Sequence, residues 1–189
     1  MKLTGGFLKN RKLIFKHHNL RPTTEKIRQS VFDICSFLIQ EGEFLDVFAG
    51  SGIMGMEALS RGARLATFLE KDLRALRLIK ENLSRLQLSE RAVLIPGDAF
   101  DALKMLGKKH LQFNLIYVDP PYHENRKDQI VQQAVLEHLD QLDLLAAGGI
   151  LFIEMPSQVK LCTSCLMTLQ LEKLRKTGTT CLYQLCKKG

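Results

Sequence analysis

The sequence predicts an α/β fold in which a mainly parallel β-sheet carries helices on both faces. Short apolar runs alternate with segments of helical periodicity along most of the 189 residues, which is the order that builds β/α units. One apolar run, 44–48, leads into a glycine-rich turn and then into a helical pattern. Another, 113–118, ends at two consecutive prolines. Prolines cannot donate backbone hydrogen bonds, so a rigid turn must follow that strand.

The first 28 residues carry the whole net charge of the protein. They hold eight lysines or arginines and one acid, Glu25, a net of +7 that equals the formal charge of the full chain. A basic segment beside a neutral body predicts attraction to a polyanion; a solvated basic tail is the alternative. Residues 6–15 predict a hairpin with a turn centred on Asn10, which favours a folded segment.

A helix is predicted at 25–38, directly after the sequence Arg21-Pro22-Thr23-Thr24. Apolar residues recur there at spacings of four, three and four, which gives one apolar stripe. A threonine ahead of the helix can cap its first turn. The four residues before the helix have two interpretations: they are a helix start alone, or they also cover one end of a bound cofactor.

Gly50, Gly52 and Gly55 satisfy the spacing G-x-G-x-x-G between the first strand and the next helix. Glycines let the main chain turn tightly and let a ligand approach it closely. The first amides of the helix then face the ligand with the positive end of the helix dipole. A pyrophosphate and a methionine carboxylate both suit such a site. The fingerprint alone therefore leaves NAD and S-adenosylmethionine open.

Three acids at strand ends favour the methyl donor. Asp46 stands four residues before Gly50, where it would attract an ammonium and repel a pyrophosphate. Glu70 ends the run 65–69 and can accept hydrogen bonds from both ribose hydroxyls, although NAD enzymes also use an acid there. Asp98 follows the run 92–95 and suits an adenine amino group. Each acid alone could be a capping residue, but together they mark the sheet edge where α/β proteins bind ligands.

The sequence Asp119-Pro120-Pro121-Tyr122 ends the fourth strand. Its acid can accept hydrogen bonds from an amino group, and its aromatic ring can lie flat against a planar ring. A rigid proline turn between them holds the two in a set relation. The motif is therefore suited to hold a planar base that bears an exocyclic amine.

Further helices are predicted at 72–86, 101–106 and 129–139, and Gly148-Gly149 should introduce a strand at 150–154. Segments 166–174 and 180–185 predict a final antiparallel pair around Gly178. No apolar run reaches the ~18 residues of a membrane-spanning helix, and the first residues lack a signal-peptide pattern. One cytoplasmic domain spanning 1–189 is the expectation.

Four of the five cysteines have a spacing that superficially suggests a zinc ribbon: Cys162, Cys165, Cys181 and Cys186. The last two are five residues apart, so on a strand their side chains point to opposite faces. Free thiols in a reducing compartment are the expectation, with no metal.

The chain resembles the bacterial 16S rRNA (guanine-N2) methyltransferases of the RsmD type from about Gly5 to Tyr183. The motifs that carry the resemblance are Gly5-Gly6, Arg11-Lys12-Leu13, Arg21-Pro22-Thr23 with Ile27-Arg28, residues 46–52 with 57–63, the 119–122 motif, Gly148-Gly149 and Gly178. Gln29 stands where the family usually has Glu, and Tyr122 replaces a frequent Phe.

This resemblance implies a seven-stranded, Rossmann-like class I methyltransferase sheet, with a basic N-terminal β-hairpin extension at 1–24 and a catalytic core at 25–189. It implies S-adenosylmethionine as the cofactor. The implied acceptor is a guanine N2 of 16S rRNA in the small (30S) ribosomal subunit, and a monomer is expected.

The implied site has three sets of residues. The catalytic set is Asp119, Pro120, Pro121 and Tyr122. The cofactor set is Thr23, Asp46, Phe48, Ala49, Gly50, Ser51, Gly52, Glu70, Lys71, Asp98, Ala99 and Asp119. The RNA-binding set is Lys9, Arg11, Lys12, Arg21 and Arg28. The alternatives are an adenine-N6 or other amino methyltransferase acting on DNA or RNA, a protein glutamine methyltransferase, a non-catalytic assembly factor that binds S-adenosylmethionine, and an NAD enzyme.

Overall fold

A computed structural model describes residues 1–15, 24–120 and 127–189, and only the backbone of 127–130. A short 3-10 turn, Ser89–Arg91, precedes the third strand. The other elements in chain order are α1 Glu25–Ile34, β1 Glu43–Val47, α2 Ile53–Ser60, β2 Leu65–Glu70, α3 Leu73–Arg85, β3 Ala92–Pro96, α4 Ala99–Lys108, β4 Phe113–Val118, α5 Lys127–Gln141, β5 Leu145–Pro156, β6 Leu169–Thr177 and β7 Thr180–Lys187.

The strands form one seven-stranded sheet in the order β3-β2-β1-β4-β5-β7-β6. The first five neighbours in this order are parallel to one another. Strand β7 is antiparallel to both β5 and β6. The β6–β7 pair confirms the predicted final hairpin, and Gly178 at its turn has a positive φ of 60°. The predicted mainly parallel sheet is confirmed.

Apolar side chains cover both faces of the sheet because successive strand residues point to opposite sides. Phe44, Phe68 and Phe152 belong to one cluster, which also includes buried apolar residues of α1, α2 and α3. Val47 and Ile116 face the other, which is packed by α4 and α5. The expected helices on both faces are therefore present, and the carboxyl ends of β1 to β5 meet at one edge.

Several element boundaries differ from the expectations. Helix α1 ends at Ile34, and hydrogen-bonded turns continue from there, with Ile39 N–H donating to Cys35 O at 3.0 Å. Helix α4 is longer than the predicted 101–106 because Asp98 caps it at Ala99. Strand β5 begins before Gly148, so the two glycines lie inside it. They lie beside an irregularity in the register between β5 and residues 113–115 of β4. The prediction that they introduce the strand was wrong.

The N-terminal hairpin pairs different residues from those predicted. Lys2 and Lys12 form an antiparallel bridge, and Leu13 N–H donates to Met1 O at 2.9 Å. The paired segments are therefore 1–3 and 11–13, and the residues between them form turns. Asn10 has a positive φ of 69°, which agrees with the predicted turn residue. Leu3 is fully buried in the core cluster of α1 to α3, so this segment is packed against the body.

None of the helices in the described ranges is both long and apolar enough to span a membrane.

Candidate active site

The strand-end acids predicted from the sequence lie along one edge of the sheet. Strands β3, β2, β1 and β4 are consecutive neighbours, so Asp98, Glu70, Asp46 and Asp119 follow one another across that edge. The register places Asp46 between Phe68 on one side and Tyr117 on the other. This is the edge where ligands bind in open α/β sheets.

The glycine-rich loop turns sharply between β1 and α2. Phe48 and Gly50 have positive φ values of 64° and 53°. Gly52, the N-cap of α2, has a φ of 70°. Its N–H donates to Ala49 O at 2.7 Å, and Ala49 N–H donates to Leu69 O at 2.9 Å. The loop is thus held against β2 by its own main chain, which leaves the first turn of α2 facing the strand ends.

Two of the fingerprint glycines are required by packing. A Cβ at Gly55 would lie 2.2 Å from Cε1 of Phe68 on β2. A Cβ at Gly52 would lie 2.8 Å from Cγ1 of Ile79 on α3, in addition to the strain of its positive φ. These glycines therefore let α2 approach the sheet and α3 closely, which sets the height of the loop above the sheet edge.

Asp46 supports the loop from below. Its carboxylate is only 2% exposed, and Oδ2 accepts a hydrogen bond from Gly55 N–H at 3.0 Å. Burial raises the pKa of Asp46 to about 8; the Gly55 hydrogen bond opposes this shift and the neighbouring Glu70 adds to it. A cation bound next to this buried acid would stabilise its carboxylate form, whereas a pyrophosphate would destabilise that form. The residues present therefore fit a ligand that brings an ammonium group.

Glu70 is fixed at the tip of β2. Its Oε2 accepts from Gly50 N–H at 2.7 Å, and its Oε1 accepts from Asp72 N–H at 2.8 Å. The carboxylate thus joins the glycine loop to the start of α3, where Asp72 is the N-cap. It is half-buried, while the adjacent Lys71 is exposed. A carboxylate held at this height beside the loop is suited to accept hydrogen bonds from a ribose, and that role stays a prediction.

Asp98 caps α4. Its Oδ1 accepts from Phe100 N–H at 2.9 Å, and the residue is exposed, whereas Ala99 behind it is buried. The capping role that the sequence offered as an alternative is therefore present. It does not conflict with a contact to an adenine amino group, because a carboxylate can accept several hydrogen bonds.

Asp119 follows β4 directly, and its N–H lies 3.4 Å from Val47 O on β1. The acid is half-buried, and Pro120 is buried behind it. Two residues before Asp119, Tyr117 on β4 donates a hydrogen bond to Glu154 in the buried part of the sheet. Asp119 is therefore placed beside the end of the strand that carries Asp46. Pro121 and Tyr122 lie outside the described residues.

The predicted RNA-binding residues separate into two groups. Lys9, Arg11 and Lys12 are exposed on the hairpin. Arg28 is 3% exposed, and its Nη2 donates to Lys2 O at 3.1 Å. Burial lowers its pKa. The expectation that Arg28 lies on an RNA-facing surface was wrong, because its side chain is inside the molecule and holds the N-terminal segment. Arg21 and Thr23 lie outside the described residues.

Sequence reasoning missed the importance of Glu57. This carboxylate is fully buried on α2 and accepts from Thr4 N–H at 2.9 Å, from Thr4 Oγ1 at 2.6 Å and from Arg61 Nε at 2.9 Å. Arg28 Nε lies 4.0 Å away. The i,i+4 spacing of Glu57 and Arg61 was the available signal, but the partner at Thr4 is 53 residues distant.

The side chains of the described ranges contain no group of three histidine, cysteine or acidic residues that could hold a metal ion.

The sheet order, the loop geometry and the strand-end acids together define a Rossmann-like class I methyltransferase fold. The solved structure of the Escherichia coli protein yhhF superposes on all of this chain and 98% of its own, with a TM-score of 0.85 and 26% identity. An RNA methyltransferase from Salinibacter ruber, in complex with S-adenosyl-L-homocysteine, covers 89% of this chain and 95% of its own, with a TM-score of 0.66. At 12% identity it supports the fold alone.

The family model described as Conserved hypothetical protein 95 matches residues 1–185. Ribosomal RNA small subunit methyltransferase D of Haemophilus influenzae is 32% identical over 97% of this chain and 93% of its own length. The Escherichia coli K12 protein of the same name is 30% identical over 82% of this chain and 74% of its own. The chain therefore belongs to this family, the RsmD family, which confirms the resemblance seen in the sequence.

Proposed function

We propose that this protein methylates the exocyclic N2 amine of a guanine in 16S rRNA, with S-adenosylmethionine as the donor. Methylation of small-subunit rRNA is the function carried in the names of its relatives. The choice of an exocyclic amine rests on one observation: Asp119 ends β4 beside the strand end and glycine loop of the donor site. In this proposal the protein acts in the cytoplasm as a monomer, and its acceptor is 16S rRNA, either free or within the small subunit.

The donor pocket is assigned to the residues along the first three strand ends. Asp46 would hold the ammonium of the methionine part, the glycine loop would hold its carboxylate, and Glu70 would hold the ribose. The wall of the pocket would be completed by Thr23, Phe48, Ala49, Ser51, Lys71, Asp98 and Ala99. When bound, S-adenosylmethionine supplies an electrophilic methyl group on a sulfonium. The support is the buried acid at Asp46, which favours a cationic partner.

The exocyclic amine of guanine is a weak nucleophile because its lone pair is delocalised into the purine ring. In this proposal the Asp119 carboxylate and the Pro120 carbonyl accept the two N–H groups of the amine. Those hydrogen bonds draw the nitrogen towards a pyramidal geometry, so the lone pair becomes available on the side that faces the donor pocket. Correct orientation of two reactants can supply ~7–11 kcal/mol of the barrier reduction.

The base must leave its stack to reach such a pocket. Tyr122 is proposed to receive it, because stacking on an aromatic side chain contributes ~1–3 kcal/mol per base. The exposed cations Lys9, Arg11 and Lys12, together with Arg21, are proposed to contact phosphates. Phosphate contacts position a nucleic acid without reading its sequence, so the nucleotide would be chosen by the shape of the RNA.

The test uses labelled donor with three acceptors: undermethylated small subunits, naked 16S rRNA and DNA. Nucleosides from the labelled product are then separated and identified. N2-methylguanosine in the rRNA is the expected product, and Asp119→Ala should abolish its formation while donor binding measured by calorimetry changes little. Labelled N6-methyladenosine, or label in DNA alone, would exclude the guanine proposal. Donor binding without transfer to any acceptor would favour a non-catalytic assembly factor.

A further inference from the structure

The connection from β5 to β6, residues 157–168, carries a pair of cysteines outside the candidate active site. Cys162 and Cys165 are both exposed and are separated by two residues. The loop begins at the carboxyl end of β5 and then runs along α5, where Gln133 and Asp140 contact it. Neither cysteine is among the candidate active-site residues. The proposed methylation mechanism uses no thiol, so this pair is chemically unassigned.

The loop is fastened to α5 on its β6 side. Asp140 accepts hydrogen bonds from Met167 N–H at 2.6 Å, Thr168 N–H at 2.8 Å and Leu169 N–H at 2.7 Å. Three backbone donors on one carboxylate fix the main chain firmly, and they hold the pKa of Asp140 below its usual range against the opposing effect of burial.

A second attachment acts directly on Cys162. Gln133 Oε1 accepts from Cys162 N–H at 2.9 Å, and Gln133 Nε2 donates to Cys162 O at 3.1 Å. One amide side chain therefore clamps both backbone groups of this cysteine. Gln133 is itself held by Glu137 Oε1 at 2.9 Å. The main chain of the cysteine pair is therefore held at Cys162 and again at 167–169, and the flanking Leu161 and Leu166 are buried.

The two sulfurs share one polar environment. Cys165 Sγ donates to Cys162 O at 3.4 Å, so the second thiol reaches back over the first cysteine. Cys162 Sγ lies 3.5 Å from Ser164 Oγ. Hydrogen bonding with Ser164, and next with Cys165, lowers the pKa of Cys162, whereas the hydrogen bond with Cys162 raises the pKa of Cys165. Cys162 is thus suited to attack first and Cys165 to resolve.

The remaining thiols have different surroundings. Cys35 is fully buried, and burial raises its pKa to about 12, so it stays a thiol at neutral pH. Cys181 is buried on β7, and Cys186 is partly buried on the same strand. Thiolate character and access to solvent control cysteine reactivity. Among the five cysteines, only Cys162 and Cys165 are exposed, and the Cys165 thiol donates a hydrogen bond to the main chain of Cys162.

We propose that Cys162 and Cys165 form an oxidisable site that closes to a disulfide by exchange with a low-molecular-weight disulfide such as oxidised glutathione. The Cys162 thiolate attacks one sulfur of that disulfide, a mixed disulfide forms, and one glutathione thiolate leaves. The Cys165 thiolate then attacks Cys162 Sγ, and the second glutathione thiolate leaves. The two protein thiols are oxidised, oxidised glutathione is reduced to two glutathione molecules, and the two protons pass from the protein thiols to the leaving thiolates.

The experiment equilibrates the whole protein in buffers with graded ratios of reduced to oxidised glutathione. Acid then quenches exchange, the protein is unfolded, and free thiols are alkylated before peptide mass spectrometry. The expected result is joint loss of alkylation at Cys162 and Cys165, with a linked peptide lighter by two hydrogen atoms, reversed by dithiothreitol. Cys35 should remain fully alkylated. Cys165→Ser should stop at a mixed disulfide on Cys162, whereas Cys162→Ser should react more slowly at Cys165.

A test variant and a matched control show whether the contacts of the loop promote disulfide formation or whether the two cysteines are close by chance. Gln133→Ala removes both backbone bonds to Cys162, so closure must then order a main chain that is no longer held in advance. The equilibrium constant for closure should fall about tenfold, as expected for ordering the backbone of roughly one residue. Gln141→Ala, an exposed residue of the same helix, should leave the constant unchanged. Separate glutathione adducts on both cysteines, prior oxidation of Cys186, or full alkylation at oxidising ratios would each overturn the proposal.

Discussion

Replacing Glu57 by glutamine would test whether the N-terminal segment is held to α2 by a buried charge. The substitution keeps the size and shape of the side chain but removes its negative charge and turns one acceptor oxygen into an NH2 donor. The carboxylate it replaces accepts from Thr4 and from Arg61, and it lies 4.0 Å from Arg28 Nε. Both arginines would then keep their charges without the buried acid that lies beside them.

The expected loss of stability is large because these groups are buried. Arg28 is 3% exposed and the Arg61 side chain is 16% exposed. Removing one partner of a buried ion pair costs about 3–5 kcal/mol. Thr4→Ala removes the 2.6 Å hydroxyl bond to the carboxylate and the 3.2 Å bond that Thr4 Oγ1 accepts from Arg61 Nη2. It should cost ~1.5–3 kcal/mol, the range for a hydrogen bond to a charged group.

Urea unfolding followed by circular dichroism measures these changes. With a denaturant slope of ~2 kcal/mol per molar, Glu57→Gln should lower the midpoint by roughly 2 M. Asp33→Asn is the matched control, since Asp33 approaches the same Arg61 at 3.6 Å but is 75% exposed, and exposed pairs contribute ~0–1 kcal/mol. Equal midpoints for the Glu57 and Asp33 variants would refute the reasoning.

Three further outcomes are expected. The pKa of Asp46 is raised to about 8 in the folded protein. The folded protein therefore keeps a proton on Asp46 that the unfolded chain loses above about pH 4. The contribution of this proton to stability is complete at low pH and is lost as the pH rises to about 8. Asp46→Asn should therefore weaken the fall of the unfolding free energy between about pH 5 and 8, by up to ~1.4 kcal/mol per pH unit; parallel curves would contradict the shift. Gly55→Ala should cost ~1–3 kcal/mol through its clash with Phe68 and weaken donor binding, which thermal unfolding and calorimetry measure. Replacing Lys9, Arg11 and Lys12 by alanine should reduce the slope of RNA affinity against salt concentration by ~0.7–0.9 for each phosphate that the variant no longer neutralises, and an unchanged slope would move the RNA interface elsewhere.

The residues at the sheet edge could be predicted from the sequence because short patterns of adjacent residues determine where each strand ends. The glycine spacing, the acids after apolar runs and the proline pair each report a strand end through a few adjacent residues. The structure places Asp46, Glu70, Asp98 and Asp119 at or just after the ends of four neighbouring strands. Thr24 likewise caps α1, with its Oγ1 accepting from Ile27 N–H at 3.3 Å, as a residue before a helix is expected to do.

The errors arose where distant partners decide the outcome. Arg28 looks like one more cation of a basic segment, and only the fold reveals that Glu57 on α2 and Lys2 in the hairpin surround it. The hairpin register depends on burial of Leu3 and Leu13 in the main core, which no spacing within the first 15 residues reveals. Gly148 suggested a strand start, but pairing with β4 extends β5 ahead of it.

The main-chain approach of Asp119 to Val47 has a consequence for how new specificities can arise in this scaffold. The backbone of the acid that would hold the acceptor contacts the neighbouring strand, with Asp119 N–H 3.4 Å from Val47 O. This contact joins β4 to β1 and belongs to the sheet itself. A library confined to positions 121–126 leaves the residues of this contact unchanged, so it is a natural place to search for a change of target nucleotide.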